Sequence, residues 1–486
     1  MPSGIPPTEE ASRVARHRTA IVRDRLSIGA RAAWEDGLLS LGSVLDYGCG
    51  KGDDVRQLGR LHVPVSGWDP YFFPDPPPEH ADVVLLTYVL NTIEDAQERA
   101  ATLQEGWAKA RQALVLTTRL SWERQRVRGT DYADGVLTSR GTFQHLFTSD
   151  ELKHLAGTHL RRPGVVARPG VVYVFRRDED RLGYLSRRYG LAATPALGDF
   201  QQAQKFYEAR GRLPEQVDGL AAGDVHAFAP VLRRTADPER VAEASRKTTI
   251  SLLMFLAMDR FHGPVVWGSL SPPVQADIRA AFGSFKHATW RAARLLGQLR
   301  DDDVVRRTMR ASVGKLTPSA LYVHRRALAG APVLLRIYEE CAALVAGRPE
   351  QWDVVKLHHD RRMISWLSYP EFDRDAHPVL QVSQHVDLSS LKSGRTDYAD
   401  SSNPPLLHRK EEFLSGDDER RDLYARLTAS EVRAGLYAHP ERIGTRAGWE
   451  SELARCGRTL RGHRLVRAVI ESESGAPTTR GGRAPG

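Results

Sequence analysis

The sequence predicts an α/β fold in its N-terminal third, a parallel sheet with helices on its faces, followed by a helical region and a mixed C-terminal region. Three observations predict it. Between residues 44 and 117 apolar runs of strand length alternate with segments of helical period in the order β, α, β, loop, β, α, β. A glycine-rich turn joins the first of those strands to the first helix. From about residue 181 the apolar residues fall at helical spacing instead.

The elements follow in chain order. Residues 8 to 20 are polar and basic and lead, as an N-terminal arm over residues 1–28, to His17-Arg18-Thr19. Residues 29 to 38 have the spacing of a short amphipathic helix, and Val44-Leu45 then opens a strand, a glycine turn and a helix from Asp53 to Leu61. Val63 to Trp68 reads as a second strand, FFPDPPPEH as a proline-stiffened loop, and Asp82 to Leu90 as a buried strand. A helix over 94 to 112 precedes a strand at Val115 to Thr117. Thr148 can cap a helix ahead of an apolar face, and Val171 to Phe175 is a strand dense in β-branched and aromatic residues, after which the unit ends near residue 180.

Helical stripes are expected over 199–210, 240–260, 273–300, 318–330 and 332–346, which defines a helical domain over 181–347. Residues 348–472 mix short segments with turn-rich stretches. The tail, 473–486, has no apolar face and is expected to be disordered.

Composition narrows the function classes. A chain of 486 residues with 41% hydrophobic and 27% charged residues is long enough for two to four globular units. No apolar run reaches the ~20 residues that span a bilayer, and the first residues lack the apolar core of a secretion signal, so a cytoplasmic place away from membranes is expected. Cys49, Cys341 and Cys456 are odd in number and far apart, which argues against a disulfide framework or a zinc site, and no metal is expected. The net charge of +9 and isoelectric point near 9.5 are compatible with a polyanionic partner such as nucleic acid, DNA above all, which clustered cations bind by releasing counterions, although the excess here is spread along the chain.

The chemistry-bearing segment is Asp46-Tyr47-Gly48-Cys49-Gly50-Lys51-Gly52. Glycines at alternate positions after a strand let the backbone bend tightly and approach a ligand that a Cβ would strike. Asp46 stands at the strand's carboxyl end, where open α/β sheets bind ligands. Asp69, 23 positions on and ending the next strand in Gly67-Trp68-Asp69, offers a carboxylate that could accept both hydroxyls of a ribose. The glycines do not have the GxGxxG spacing of a dinucleotide site.

This combination resembles the class I S-adenosylmethionine-dependent methyltransferases, with their Rossmann-like sheet, over roughly residues 30 to 178. The resemblance implies that Asp46, Gly48, Gly50 and Gly52 line the amino-acid part of S-adenosylmethionine and that Asp69 holds its ribose. ADVVLLTYVLNTIED, residues 81 to 95, is similar to the fourth strand and following loop of that family, which puts Tyr88 and Asn91 beside the methyl group. Asn91 then orients a nucleophile as the catalytic residue; the alternative is that it caps the helix beginning near Glu94. Only twelve residues separate Asp69 from Asp82. Either the sheet is shortened by one strand, or Trp68, Tyr71 and Phe72 cover the adenine face.

Several further segments (HRTAI, DYGCGKGDD, GWDPYF, VLNTIED, YADGVLTSRGTFQ, YPEFDRDAHPVL, NPPLLHRKEEF and IGTRAGWE) together resemble the methyltransferases associated with DNA phosphorothioation. That resemblance implies an enzyme of bacterial DNA modification and defence acting on DNA or on a protein of the phosphorothioation machinery. The competing reading is a methyltransferase-fold accessory protein that binds DNA or senses the cofactor without turnover. Asn403-Pro404-Pro405-Leu406 approaches the [ND]PP[YFW] loop of amino-methylating DNA enzymes but lacks the stacking ring, so it reads as a stiff connection. His358-His359-Asp360 reads as structural, and Arg361-Arg362 and His408-Arg409-Lys410 as solvated faces. Trp290, Trp366 and Trp449 read as core.

Overall fold

The computed structural model describes residues 14–191 and 197–468. The tail expectation for 473–486 and the first half of the arm lie outside them. After a 3-10 turn at Arg16–Thr19, α1 spans Ile28–Glu35, β1 Val44–Tyr47, α2 Asp53–Arg60, β2 Val65–Trp68, β3 Ala81–Thr87, α3 Ala96–Lys109 and β4 Ala110–Thr117. Three short strands follow, β5 Gly129–Tyr132, β6 Gly135–Thr138 and β7 Phe143–Gln144, then α4 Ser149–Leu160, β8 Gly164–Arg168 and β9 Val171–Phe175.

The main sheet has six strands in the order β2-β1-β3-β4-β9-β8. The first four are parallel, and β9 and β8 close the far edge antiparallel. β2 is the other edge. No strand occupies residues 69–80, so the short connection between Asp69 and Asp82 leaves the sheet without a further strand there. Period-2 alternation assigns the faces: Val44, Val83, Leu85, Val115 and Tyr173 turn to one side, and Leu45, Val84, Leu86, Leu114 and Val172 to the other. The second face takes α3 and α4 through Leu103, Leu152 and Ala156.

α4 starts as the sequence predicts. Thr148 accepts the Glu151 N–H at 3.1 Å while Glu151 accepts the Thr148 N–H at 2.6 Å, a reciprocal cap. The three-stranded sheet β5-β6-β7 has no counterpart in the sequence pattern, because its strands are only two to four residues long.

The helices that follow are α5 Asp178–Arg188, α6 Phe200–Arg210, α7 Ala222–Thr235, α8 Pro238–Asp259, α9 Pro272–Phe282, α10 Phe285–Gln298 and α11 Asp302–Arg310. The expected stripe over 273–300 is two helices, because Gly283 at φ 73° turns the chain between α9 and α10. The apolar run Leu252 to Met258 of α8 is buried against Val274, Ile278, Ala288 and Ala292 and belongs to the same core as the first face of the sheet. The helices therefore pack on the sheet directly. Buried Arg212 holds Asp218 at 2.7 and 2.9 Å and Asp277 at 2.6 Å, and Asp277 is shared with Arg210.

Residues 318–330, expected to be helical, form instead a strand and a 3-10 turn. β10 Lys315–Leu316, β11 Ala320–His324, β12 Val354–His358, β13 Met363–Ser368, β14 Val382–Asp387 and β15 Lys392–Asp397 make an antiparallel sheet in sequence order, with α12 Val333–Ala346 inserted after β11. Leu321 and Val323 alternate with Tyr322 and bury against Leu335 and Tyr338 of α12, so the period is 2 and not 3.6. The chain closes with α13 Arg421–Arg433, α14 Arg446–Arg455 and the hairpin β16 Arg458–Arg461 with β17 Arg464–Arg467. Asn403 accepts the Ala447 N–H at 2.9 Å and Leu406 donates to the Gly444 carbonyl, so the NPPL segment ties the front of α14 to the sheet. Trp366 and Trp449 are core, but Trp290 is 55% exposed. Lys410 is buried, donating to the Phe372 and Asp375 carbonyls, so its charge run is not a solvated face. Among the described residues no helix is long and apolar enough to cross a membrane.

Candidate cofactor-binding site

Strand order reverses around β1: the chain leaves it for β2 on one side and returns to β3 on the other, which opens a crevice at the strands' carboxyl ends. A cavity of about 1210 Å³ fills that crevice. Its walls include Gly48 and Gly50 of the turn, Trp68 at the end of β2 and Asp69 just after it, Thr87 at the end of β3, and Tyr88 and Asn91 beyond.

The glycine turn is built for close approach. Gly48, Gly50 and Gly52 have φ of 86°, 55° and 74°, the left-handed region that costs any other residue. A Cβ on Gly48 would stand 2.5 Å from Val89 Cγ2. The Gly48 and Cys49 N–H groups both donate to the Trp68 carbonyl, which locks the turn against β2. Cys49 is buried, and burial pushes its thiol up to about 12, as suits a packing residue and not a nucleophile.

Asp69 holds the other side. One oxygen accepts the Gly50 N–H at 3.0 Å, and the second accepts those of Tyr71 at 2.9 Å and Phe72 at 3.0 Å. It thus shapes the turn and the aromatic loop at once; Oδ1 is filled by its two donors, and Oδ2 retains a lone pair for a further donor. Asp46 is different. It is 2% exposed, its Oδ1 has no hydrogen-bond partner among the described residues, and burial together with the charges of Asp54 and Asp69 raises its pKa well above the ordinary value, against Arg23. Asp54 and Asp53 start α2 and accept the Ser27 and Arg23 N–H groups at 2.7 and 2.8 Å. Six carboxylates line the cavity against the four cations Arg16, Arg23, Lys51 and Arg119, a modest negative excess that favours a cationic ligand.

The methyl-side residues also carry unmet polarity. Asn91 is 1% exposed and lies in a 3-10 turn after β3; its Nδ2 donates to Gln144 Oε1 at 2.9 Å while its Oδ1 has no partner among the described residues. It does not cap the next helix, because Asp95 does, accepting the Glu98 N–H. Thr87 Oγ1 is likewise buried and unpartnered. Tyr88 sits at φ 59° and donates its N–H to the Thr117 carbonyl, a left-handed non-glycine residue of the kind that clusters at functional sites. Burial and the nearby Glu123 raise its phenol's pKa. Glu123 itself is engaged by Arg119 and the Leu120 N–H.

The arm crosses the mouth of this cavity, a feature the sequence reading missed. Ala15 donates to the Gly141 carbonyl beside β7. Arg16 binds Glu94 at 2.9 Å and Glu98 at 2.7 Å on α3. His17 stacks on Tyr71 with ring centres 4.4 Å apart, and Ala20 faces Gly50. Residues 14–27 thus run from the short sheet across α3 to α2. The HRTAI segment was visible as unusual, but nothing local says where an arm docks.

The structure accordingly brings Asp46, Gly48, Gly50, Gly52 and Asp69 together at one turn; Gly48, Gly50, Asp69 and Asn91 line the cavity, whereas Asp46 and Gly52 are not among its lining residues. S-adenosylmethionine fits what is there: a glycine turn that side chains would fill, a carboxylate at Asp69 with a free lone pair, and a modest excess of carboxylates over cations.

Residues 15–159 match the family model described as a methyltransferase domain. No curated protein matches the sequence. Among solved structures, the Burkholderia thailandensis 1,6-didemethyltoxoflavin-N1-methyltransferase with S-adenosylhomocysteine is 16% identical over 30% of this chain and 78% of its own, with a TM-score of 0.23. Magnesium protoporphyrin IX methyltransferase of Synechocystis PCC 6803 with bound SAM is 15% identical over 33% and 90%, with a TM-score of 0.21. The DhpI-SAM-HEP complex is 16% identical over 31% and 87%, again at 0.21. The assignment rests on the family match and the pocket, not on these neighbours. Residues 15–159 are thus similar to a methyltransferase domain, and the pocket they form has the features that S-adenosylmethionine would need.

Proposed function

We propose that this S-adenosylmethionine-dependent methyltransferase acts on DNA, within a phosphorothioate modification and defence system, or on a protein of that machinery. The observation that carries the DNA reading is the hairpin β16–β17. Arg458 stands opposite Arg467 and Arg461 opposite Arg464. None of the four has an ion-pair partner among the described residues. Like charges directly opposed across strands cost stability. A polyanion offsets that cost, and a two-stranded ribbon fits a DNA major groove. The motif resemblance supports the association with phosphorothioation, and the cytoplasm is where such a system meets DNA.

At the site, the Gly48 to Gly52 turn admits the cofactor's amino-acid end, Asp46 meets its positive charge, and Asp69 accepts from the ribose. When bound, S-adenosylmethionine supplies a methyl group activated by sulfonium, which an in-line nucleophile takes while the S–C electron pair returns to sulfur. Asn91 Oδ1, unpartnered and fixed through Gln144, accepts a hydrogen bond from the nucleophile and aims its lone pair. Both oxygens of Glu123 are engaged, so the pocket orients a nucleophile more than it deprotonates one, which suits an amine.

The test is incubation with methyl-labelled cofactor and either unmodified or phosphorothioate-bearing DNA, followed by nuclease digestion. Label in nucleotides is the expected result. Cofactor binding and DNA binding without transfer, to DNA or to proteins of the system, would overturn it in favour of the accessory reading.

A further inference from the structure

We infer that the outer face of α10 is a binding surface for single-stranded DNA, with Trp290 as its stacking platform. The inference rests on the DNA reading above and goes beyond it by naming the element and the strandedness.

α10 lies against α8 and α12 through Ala288 and Ala292, which are fully buried. The opposite face is exposed and carries Lys286, Trp290 and Arg294 at i, i+4 and i+8, one stripe of about 12 Å along the axis, flanked by Arg291. The helix contains no acidic residue, and neither Lys286, Arg291 nor Arg294 has an ion-pair partner among the described residues. The cations instead sit over rings: Arg294 lies 5.4 Å from the Trp290 ring and Arg291 5.5 Å from that of Phe282.

An indole 55% exposed on a rigid helix buries little apolar surface, so core packing does not explain it. With Arg294 over its ring, His287 beside it and Lys286 and Arg291 on the same exposed side of the helix, it has the composition of a base-stacking platform, in which one aromatic face meets a base and the flanking charges meet the backbone. Seven residues on, Gly297 continues the stripe into the mouth of a second cavity of about 1210 Å³. Arg260 and Arg300 line that cavity, also without ion-pair partners among the described residues, so the positive surface continues beyond the helix end. Stacking on an exposed indole requires an unpaired base, which selects single strands over duplex. The arginine hairpin β16–β17, lacking a ring, suits duplex phosphates instead.

The experiment measures fluorescence anisotropy of a labelled single-stranded 20-mer, its duplex and an RNA of the same sequence, over a salt series, with the full-length protein. The variants are Trp290→Ala, Trp290→Phe, Lys286→Glu/Arg291→Glu/Arg294→Glu, and Arg461→Ala/Arg464→Ala in the hairpin. Loss of base stacking in Trp290→Ala weakens single-strand binding about 5- to 100-fold, Trp290→Phe restores most of it, and duplex binding is nearly unmoved. The triple variant lowers the single-strand salt slope by about 2. Wild-type protein that binds DNA while all α10 variants bind single strands as tightly overturns this inference and leaves the DNA reading standing. Wild-type protein that binds no DNA overturns both, and preference for RNA assigns the surface to RNA against the inference. Circular dichroism of each variant separates misfolding from lost contact; Trp290 is exposed, so its variants retain the fold.

Discussion

Replacing Asp46 by Asn should stabilise the free protein and weaken its hold on the cofactor, opposite signs from one substitution. The side chain is nearly isosteric, so packing is unchanged. What changes is a buried carboxylate with an unpartnered oxygen amid Asp54 and Asp69. Its folded pKa is raised, so its favourable contribution is complete below the unfolded value of about 3.9 and is lost as pH rises through the folded pKa. The Asn variant carries no such loss. Its margin over wild type therefore grows as pH rises and levels off above that pKa, reaching about 1–3 kcal/mol, the cost of an unsatisfied buried group. A gain of 1 kcal/mol moves the midpoint of a cooperative unit of about 150–250 residues by roughly 2–4 °C. Binding goes the other way: one charge-assisted bond of about 1.5–3 kcal/mol lost lowers affinity roughly 10- to 150-fold. Thermal unfolding between pH 5 and 9 and calorimetric titration with S-adenosylmethionine read both effects. An Asn variant that melts earlier at pH 8 and binds with the wild-type constant would refute the reasoning and make Asp46 a structural residue.

The remaining expectations are simpler. In wild-type protein, cofactor affinity rises with pH through the Asp46 titration, because the cationic ligand prefers the carboxylate; a flat profile between pH 5 and 9 contradicts this. Asp69→Ala frees three backbone N–H groups, at Gly50, Tyr71 and Phe72, and should weaken cofactor binding at least tenfold by calorimetry; an unchanged constant removes Asp69 from the site. Arg16→Ala breaks a partly exposed pair of contacts worth about 1 kcal/mol, so cofactor should leave about fivefold faster in stopped flow, and an unaltered rate would show that the arm does not gate release. Asp277→Ala leaves Arg210 and Arg212 facing an empty place and should cost about 3–5 kcal/mol in urea unfolding; a loss under 1 kcal/mol would mean that the network relaxes around the gap.

What the sequence makes legible is what short-range chemistry dictates. Alternate glycines after an apolar strand have one strong use, and the turn at Gly48 to Gly52 has the predicted left-handed backbone. Thr148 and Glu151 declare a helix start, and VVYVF declares β9. Where the pattern is ambiguous, burial decides. Leu321 and Val323 are two apart, but the neighbouring Ala327 and Leu328 complete a helix-like stripe, and only pairing with β12 selects the strand. Length hides the β5–β7 sheet, whose strands run two to four residues. Tertiary contact hides the rest: Lys410 looks like a surface cation until the Phe372 and Asp375 carbonyls enclose it, and Trp290 looks like core until α10 turns it outward. The arm over the cavity is the largest omission, since Arg16 finds Glu94 and Glu98 only after nearly eighty residues of folded chain.

The most direct test is a crystal structure of the protein grown with S-adenosylhomocysteine at saturating concentration. The account predicts one molecule in the cavity under residues 14–27, its amino-acid end at Gly48 to Gly52 and its ribose within hydrogen-bond reach of Asp69. Density for the ligand elsewhere, or none in that cavity, would contradict it.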